Sequence, residues 1–371
     1  MNEKQYIAIE NELTSFRKNE QKRIKGKELK IYFSKLKNQT HYTSKKEITT
    51  TQLSQIEKKV LRTETGNAYY IDGDVIEVVT PPIEINYGFA TRLTNSLMIA
   101  RENILKTIPL EHTGYSIHWN LTTPYSSKEK NSENRKKFMR PLIVPFQMFG
   151  LTPVSIGCAI RERYPRWELM SDDIPTEKQL SATALLLGAY LKNQKNKSLM
   201  NYPTEIEIRK SKKDNRLVYS NNYTNRVKVI STIEGKQTTQ EFLLSFYERI
   251  HKEIEKLGDK KEIENLENFI LGKENLEIDH NDFWIKTRNN QPNNLGINLP
   301  LKIKNKTNIF RKNKIKKQTP LEGKCYGVII SKKNIQKFSW NKLVIKNEDG
   351  TLSKIEGVEN IINYGSRLLN N

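Results

Sequence analysis

The segment from Gly66 to Pro82, G-N-A-Y-Y-I-D-G-D-V-I-E-V-V-T-P-P, constrains the fold more than any other part of the chain. Its Gly73-Asp74 turn predicts a hairpin, and the apolar residues after the turn are typical of a buried strand that ends at two prolines. That strand carries Glu77. An unpaired carboxylate on a buried strand is costly, so we expect a cationic group to meet it.

A second acidic pair, Glu10 and Glu12, lies in the apolar run Y-I-A-I-E-N-E-L near the start of the chain. Residues two positions apart on a strand point to the same face of a sheet. Together with Glu77, these side chains place three carboxylates on two short apolar strands. Such a set predicts a site for a hard cation, and magnesium is the expected occupant.

A polar stripe is predicted further along, in G-Y-S-I-H-W-N-L from Gly114 to Leu121. Its alternation indicates a strand that presents Ser116, His118 and Asn120 on one face. A lone histidine on a strand is more often structural than functional. The three carboxylates elsewhere in the chain favour a functional role for His118.

Three arginines follow in I-R-E-R-Y-P-R-W-E-L, namely Arg161, Arg163 and Arg166. They are compatible with a basic surface loop. They are also compatible with a phosphate clamp, because a guanidinium group pairs with phosphate oxygens in bidentate fashion.

Charge and composition narrow the class of protein. The 371 residues include 63 Lys and Arg against 42 Asp and Glu, which gives a net charge of +21. This excess indicates either a polyanionic partner or a lysine-rich solvated surface. The most basic part, Asn289 to Lys317, is where an acidic partner could dock.

Cys158 and Cys325 show no CxxC spacing, so neither a disulfide framework nor a zinc site is indicated. The chain has no apolar run that could span a bilayer and no signal peptide, so we expect a cytoplasmic protein.

The pattern of apolar residues predicts several elements around these motifs. Helical spacing indicates helices over Thr49 to Arg62 and Tyr87 to Leu105, and further helices capped by Thr176 and Thr238. The last fifty residues are predicted to be short β segments that include Cys325 to Ile330. We therefore expect a catalytic domain over residues 1–318 and a small β-rich domain over residues 319–371.

These motifs, taken in order, resemble the Pup ligase and depupylase family of carboxylate-amine ligases. The Glu10-x-Glu12 opening is similar to the first strand of that family, and Gly66 to Asp72, followed by Glu77 and Thr80-Pro81, is similar to its catalytic strand. The run Gly114 to Asn120 is similar to its Tyr-Gly-x-His-Glu-Asn segment. Weaker similarity continues through the segments 208–214, 235–240, 282–286, 323–325 and 339–341.

The resemblance implies a fold of the α+β class, with a glutamine synthetase-like curved antiparallel sheet that is packed by helices and a small β-rich C-terminal domain. It also implies the cofactors ATP and Mg²⁺ and the role of base for Asp72. The ligands that it implies for magnesium are Glu10, Glu12, Glu77 and His118, and the groups that it implies for the nucleotide are Asn120, Arg161, Arg163, Arg166 and Arg209. Trp119 stands where the family carries an acid, which removes one expected ligand unless Asn120 or water replaces it.

The implied activity is ATP-dependent ligation of a glutamate carboxylate on a Pup-like or other acidic modifier to the lysine amine of a target protein, through an acyl phosphate. Depupylase-type or deamidase-type amide hydrolysis by the same site is the alternative. The spacing from Asp72 to Glu77 and the Thr-Pro that follows favour the depupylase branch, whereas the compact size favours ligation. A further alternative is a basic nucleic-acid-binding protein on an inactive scaffold, which the net charge and Trp119 favour. Dispersed lysines without interleaved aromatic residues disfavour nucleic-acid binding.

Overall fold

The structure is a computed structural model. It describes residues 4–17, 23–35, 42–46, 58–122, 132–151, 155, 157–163, 166–174, 176–193, 200–211, 215–274, 318–330 and 334–370. The basic segment Asn289 to Lys317 lies outside the described residues, as do positions 49–57 of the first predicted helix.

One antiparallel sheet of eleven strands organises the molecule. Its strands follow the order β10-β11-β8-β9-β7-β1-β5-β4-β3-β2, and the short β6 pairs with β1. Their bounds are β1 (Tyr6–Phe16), β2 (Tyr42–Lys46), β3 (Lys58–Arg62), β4 (Ala68–Asp72), β5 (Val75–Val79), β6 (Ile83–Glu84), β7 (Glu111–Thr122), β8 (Cys158–Arg163), β9 (Arg166–Ser171), β10 (Ile208–Lys210) and β11 (Leu217–Tyr219). The N-terminal strand β1 is therefore central, between β5 and β7.

Helices pack on one face of this sheet. They are α1 (Gly26–Phe33), α2 (Phe89–Thr107), α3 (Ser132–Gly150), α4 (Glu177–Lys192), α5 (Thr239–Leu257) and α6 (Lys260–Ile270). Alternate residues of β1, Ile7, Ile9 and Leu13, face them and are fully buried in the main hydrophobic core. A separate hairpin, β12 (Val229–Thr232) with β13 (Gly235–Thr238), precedes α5.

Both predicted N-cap residues, Thr176 and Thr238, stand where helices begin. The Thr176 hydroxyl accepts a hydrogen bond from the Gln179 backbone N–H at the start of α4. Thr238 and Glu241 form a reciprocal capping box at the start of α5. The prediction of helix up to Arg62 is wrong, because residues 58–62 form strand β3. Leu61 of β3 pairs with Tyr69 of β4, and this non-local pairing outweighs the local helical spacing.

The C-terminal segment comprises α7 (Leu321–Ile330), β14 (Ile335–Phe338), β15 (Lys342–Lys346), β16 (Leu352–Glu356) and α8 (Val358–Asn370). Its three strands form their own antiparallel sheet, and its apolar residues form a second cluster. The predicted strand at Cys325 to Ile330 is instead part of α7. No helix among the described residues is both long and apolar enough to cross a lipid bilayer.

Candidate active site

The face of the sheet opposite the helices carries the predicted acidic residues. In the β1–β5 register Glu12 lies directly opposite Glu77, and in the β1–β7 register Glu10 lies opposite His118. Ser116 lies opposite Glu12, and its hydroxyl donates a hydrogen bond of 2.6 Å to Glu12 Oε2. The carboxylates of the first strand and of the Thr-Pro-Pro strand therefore converge, as the alternation predicts.

Glu77 is the least compensated of these carboxylates. Its side chain is buried, with 3% exposure, and it has the Tyr70 hydroxyl as a hydrogen-bond partner. Burial and the charges of Glu10, Glu12 and Asp72 raise the pKa of Glu77 well above its usual value. Among the described residues, no basic side chain is paired with this carboxylate. The described residues therefore do not supply the cationic partner that the sequence predicts for Glu77.

Asp72 lies at the rim of the same face. It is the last residue of β4, two positions after Tyr70, and it is exposed. Its charge contributes to the raised pKa of Glu77, and its position two residues after Tyr70 places its side chain on the face that carries Glu77. A substrate could therefore reach Asp72 from solvent while the other acids remain buried.

His118 lies between carboxylates. Its Nδ1 is 2.9 Å from Glu168 Oε1 and 3.8 Å from Glu10 Oε2, and its Nε2 is 3.9 Å from Glu12 Oε1. Burial lowers the pKa of His118, but the nearby carboxylates of Glu10, Glu168 and Glu12 raise it well above its usual value overall. Only the neutral imidazole has a lone pair for a metal, so His118 could act as a ligand only in its unprotonated form.

Glu168 of β9 is a fifth carboxylate on this face, and it is fully buried. Arg161 Nε and Nη2 donate to its two oxygens at 2.6 and 2.5 Å, and Arg163 Nε is 3.3 Å from Oε2. Burial alone would raise the pKa of Glu168, but His118 and Arg161 lower it well below its usual value. We refer to Glu10, Glu12, Asp72, Glu77, Glu168 and His118 as the acidic cluster.

The three predicted phosphate-binding arginines lie on the strands of a hairpin, not in a loop. Each has an acidic partner, because Arg161 and Arg163 contact Glu168 while Arg166 Nη2 is 3.1 Å from Glu10 Oε1. Phosphate contacts by these groups would require the ion pairs to be shared or exchanged. Arg209 lies on β10, four strand spacings or roughly 19 Å from β7 along the sheet, and is not part of this cluster.

Asn120 and Trp119 lie on opposite faces of β7. Asn120 is opposite Glu168 in the β7–β9 register, and both polar atoms of its buried amide lack a hydrogen-bond partner among the described residues. Trp119 is fully buried on the helix-covered face, where its Nε1 donates to Ser171 Oγ at 3.4 Å. A side chain at position 119 of this chain points away from the acidic cluster, so the tryptophan removes no ligand from it.

Sequence reasoning missed Glu168. The signal for it was present, because Arg166 and Glu168 are two residues apart on one strand, as are Arg161 and Arg163 on the other. A hairpin with this alternation places all four charged side chains on one face.

The acidic cluster contains donor atoms that fit a hard divalent cation, and its two ends differ in charge. Ligand atoms of Glu10, His118 and Glu168 lie within 4.8 Å of one another. However, Glu168 already contacts His118 and the positively charged Arg161 at that end. Glu77, Glu12 and Glu10 form the end where negative charge is in excess, and carboxylate oxygens are the ligands that Mg²⁺ prefers. A divalent cation there would relieve the repulsion that raises the pKa of Glu77.

A solved structure shares this architecture. The complex between the prokaryotic ubiquitin-like protein Pup and its ligase PafA matches with a TM-score of 0.50 and 12% sequence identity, over 99% of this chain and 94% of that chain. This chain has the Pup ligase fold. A structure of PafA with ADP matches at a TM-score of 0.44 and 12% identity, over 83% of this chain and 90% of that one. No protein-family model and no curated protein sequence matches the chain.

The Pup ligase fold confirms the predicted fold class, a glutamine synthetase-like antiparallel sheet packed by helices. It also confirms, at the level of fold, the resemblance inferred from the order of the motifs. In this chain the acidic cluster lies on the central strands of the sheet, β9, β7, β1, β5 and β4.

Proposed function

We propose that the protein is an ATP- and Mg²⁺-dependent carboxylate-amine ligase that joins a glutamate carboxylate of a Pup-like modifier to a lysine amine of a target protein. The observation that carries the proposal is the buried Glu77, which faces Glu12, is surrounded by like charges and forms no ion pair with a basic side chain in the described part of the chain. The fold shared with a Pup ligase that binds Pup supports a modifier of that kind.

The proposed reaction explains why such a site is needed. Amide formation in water is uphill, so the γ-phosphoryl group of ATP would first pass to the glutamate carboxylate, giving an acyl phosphate and ADP. The lysine amine would then attack the acyl carbon, and phosphate would leave as the amide forms. When bound, Mg²⁺ would neutralise the negative charge of the phosphates.

Different residues of the chain would bind the cation and accept the proton, according to where they lie in the site. Glu10, Glu12 and Glu77 would hold the cation, because Glu12 lies opposite Glu77 in the sheet and the charges of Glu10 and Glu12 both act on Glu77. Asp72 would accept the proton of the attacking lysine, whose unperturbed pKa is about 10.4. Its exposed position at the rim of the sheet lets an incoming protein substrate reach it.

Groups around the cluster would orient the substrates. Arg161, Arg163 and Arg166 would contact phosphate oxygens while sharing their carboxylate partners, since guanidinium groups have several donors. The Asn120 amide offers a donor and an acceptor that are both unused in the described residues. His118 would hold Glu168 in place through the 2.9 Å contact of its Nδ1 with Glu168 Oε1.

Replacing Asp72 tests the assignment of the base. We expect Asp72→Asn to lower turnover by roughly 10²- to 10⁴-fold, the usual contribution of a general base. ATP binding should stay close to that of the wild type, because Asp72 is outside the phosphate-facing groups. Asp74→Asn is the matched control, since Asp74 lies in the same turn but accepts a hydrogen bond from the Gly26 backbone N–H. Near-normal turnover of Asp72→Asn would show that the assignment is wrong.

The direction of the reaction is tested by mass spectrometry. The protein is incubated with ATP, Mg²⁺, a lysine-bearing acceptor and Pup-like peptides that end in glutamate or glutamine. Ligation predicts an adduct whose mass is that of the two substrates less one water, and it predicts release of ADP. The same site used as a hydrolase would instead convert the glutamine peptide to the glutamate peptide. If no peptide gave either the adduct or the hydrolysis product, the proposal would be contradicted.

A further inference from the structure

The C-terminal segment reaches the acidic cluster through one aromatic side chain. Trp340 lies in the turn between β14 and β15, and its ring centroid is 5.3 Å from Arg166 Cζ. This distance is within the range of a cation–π interaction. The same guanidinium group is 3.1 Å from Glu10 Oε1. One arginine therefore contacts both the C-terminal segment and a proposed cation ligand.

Trp340 is held in a well-fixed turn. The Tyr326 hydroxyl of α7 donates to the Trp340 carbonyl at 3.0 Å, and the Tyr326 ring stacks on Phe338 at 5.1 Å between centroids. Arg62 of β3 donates to the Phe338 carbonyl at 3.0 Å and lies over its ring at 4.6 Å. The turn is thus anchored both to α7 and to the main sheet, and its indole lies beside Arg166.

Arg166 and a divalent cation compete for Glu10. Both are positive, both are attracted by the same carboxylate, and each is repelled by the other. Whatever holds the guanidinium group on Glu10 therefore weakens cation binding at that end of the cluster. Because binding linkage is reciprocal, cation binding must weaken the contact that holds Arg166 by the same factor.

We propose that Trp340 is a positioning residue that holds Arg166 on Glu10, so that the C-terminal segment sets the affinity of the acidic cluster for a divalent cation. The inference rests on the cation site of the proposed function. It adds a coupling between that site and a segment that supplies none of its proposed ligands.

Binding titrations with Mn²⁺ on the full-length chain test the coupling. We expect Trp340→Ala to bind Mn²⁺ about 3- to 10-fold more tightly than the wild type, the range expected for loss of a partly buried cation–π contact. Trp340→Phe keeps an aromatic face and should lie between the two. The matched control is Tyr202→Ala, which removes a cation–π partner of Arg140 at 5.6 Å away from the cluster and should leave the affinity unchanged.

A double substitution tests whether Trp340 acts through Arg166. Arg166→Met should tighten Mn²⁺ binding at least as much as Trp340→Ala, because it removes the competing charge. In the Arg166→Met background, Trp340→Ala should then have no further effect. Additive effects of the two substitutions would show that Trp340 does not act through Arg166 and would overturn the inference.

Tryptophan fluorescence gives a second readout that does not depend on activity or on Mn²⁺ affinity. Mg²⁺ should change the emission of the wild type, since Arg166 moves relative to the indole, and Trp340→Phe should lose this change. If the wild type binds no divalent cation, the proposed function fails and the coupling fails with it. If all variants bind Mn²⁺ equally and Trp340→Phe retains the emission change, only the coupling is wrong.

Discussion

At the scale of residues, the partners of a buried charged group decide its chemistry. Glu168 and Glu77 are both nearly inaccessible carboxylates on one face of the sheet, yet their pKa values are shifted in opposite directions. Glu168 has His118 and Arg161 as partners, whereas Glu77 has three carboxylates nearby. The same residue type is therefore a satisfied ion-pair partner at one end of the cluster and a candidate cation ligand at the other.

His112 predicts part of the pH dependence of stability. Burial lowers the pKa of His112 to about 4, although a backbone hydrogen bond at Ile108 opposes the shift, and its Nδ1 lies 3.0 Å from Ser15 Oγ. Below about pH 6.5 the His112 imidazole binds a proton in the unfolded chain, whereas in the folded protein it binds one only near pH 4. This contribution to stability is therefore complete above pH 6.5 and is lost as the pH falls towards 4.

The comparison of wild type with His112→Gln isolates the contribution of His112 to the pH dependence of stability. The free energy of unfolding of the wild type, relative to that of the variant, should fall by about 3 kcal/mol between pH 7 and pH 4, at 1.36 kcal/mol for each pKa unit. Denaturant titrations at several pH values measure it. A difference that stays constant over this range would show that His112 is not buried in its neutral form.

The positions of single residues were predictable where strand alternation governs them. Glu10 and Glu12 share a face, as do Ser116, His118 and Asn120, because a period of two fixes the direction of each side chain. The sequence could not indicate which arginine meets which acid. That pairing depends on the register between β8, β9 and β7, which is set by contacts far apart in the chain.

At the scale of elements, a buried polar network fixes β1 against its neighbours. Arg101 of α2 donates to Asp173 Oδ1 and to Asn11 Oδ1, each at 2.8 Å, and the Asn11 amide donates to Asp173 at 2.7 Å. Asn11 stands between Glu10 and Glu12 on β1 but points to the helix-covered face. The network therefore holds the strand that carries both glutamates.

Breaking this network should be costly. We expect Arg101→Met to lower the free energy of unfolding by about 3–5 kcal/mol, because it leaves the fully buried Asp173 carboxylate without its counter-charge. The double variant Arg101→Met, Asp173→Asn removes both charges and should be more stable than the single one. Denaturant unfolding gives both values. A double variant less stable than Arg101→Met would show that the ion pair is not what stabilises this region.

Elements were predicted correctly where a helix has one apolar face and a clear cap, as α4 and α5 do. Helix α7 was taken for a strand because it is buried on nearly every side, so that C-Y-G-V-I-I shows no amphipathic period. For strand β3 the local pattern predicts a helix, because Val60 and Leu61 fit a helical spacing. In both cases contacts distant in sequence decided the structure.

At the scale of the whole molecule, close backbone contacts join the C-terminal segment to the main sheet. A Cβ at Gly327 of α7 would lie 1.9 Å from the Glu64 carbonyl oxygen, and one at Gly323 would lie 2.5 Å from that of Thr65. Glu322 also accepts a hydrogen bond from the Glu84 backbone N–H and lies 3.7 Å from Arg92. The two glycines allow α7 to pack directly on the turn before β4.

A side chain at position 327 should disturb this packing. We expect Gly327→Val to lower the free energy of unfolding by about 1–3 kcal/mol or more, as forced overpacking does. It should also make the C-terminal segment more sensitive to limited proteolysis. Lys324→Ala, on the exposed side of the same helix, is the control and should have little effect. Unchanged stability and proteolysis of Gly327→Val would contradict the close packing.

We propose above all that carboxylates from β1 and β5 form a divalent-cation site on the face of the sheet opposite helices α1 to α6. Anomalous diffraction from crystals of the full chain grown with Mn²⁺ tests it most directly. We predict an anomalous peak between the Glu12 and Glu77 carboxylates, with ligand distances of about 2.0–2.2 Å, close to those that octahedral Mg²⁺ demands. Crystals in which Mn²⁺ binds elsewhere, while these carboxylates pair only with protein groups, would contradict the account.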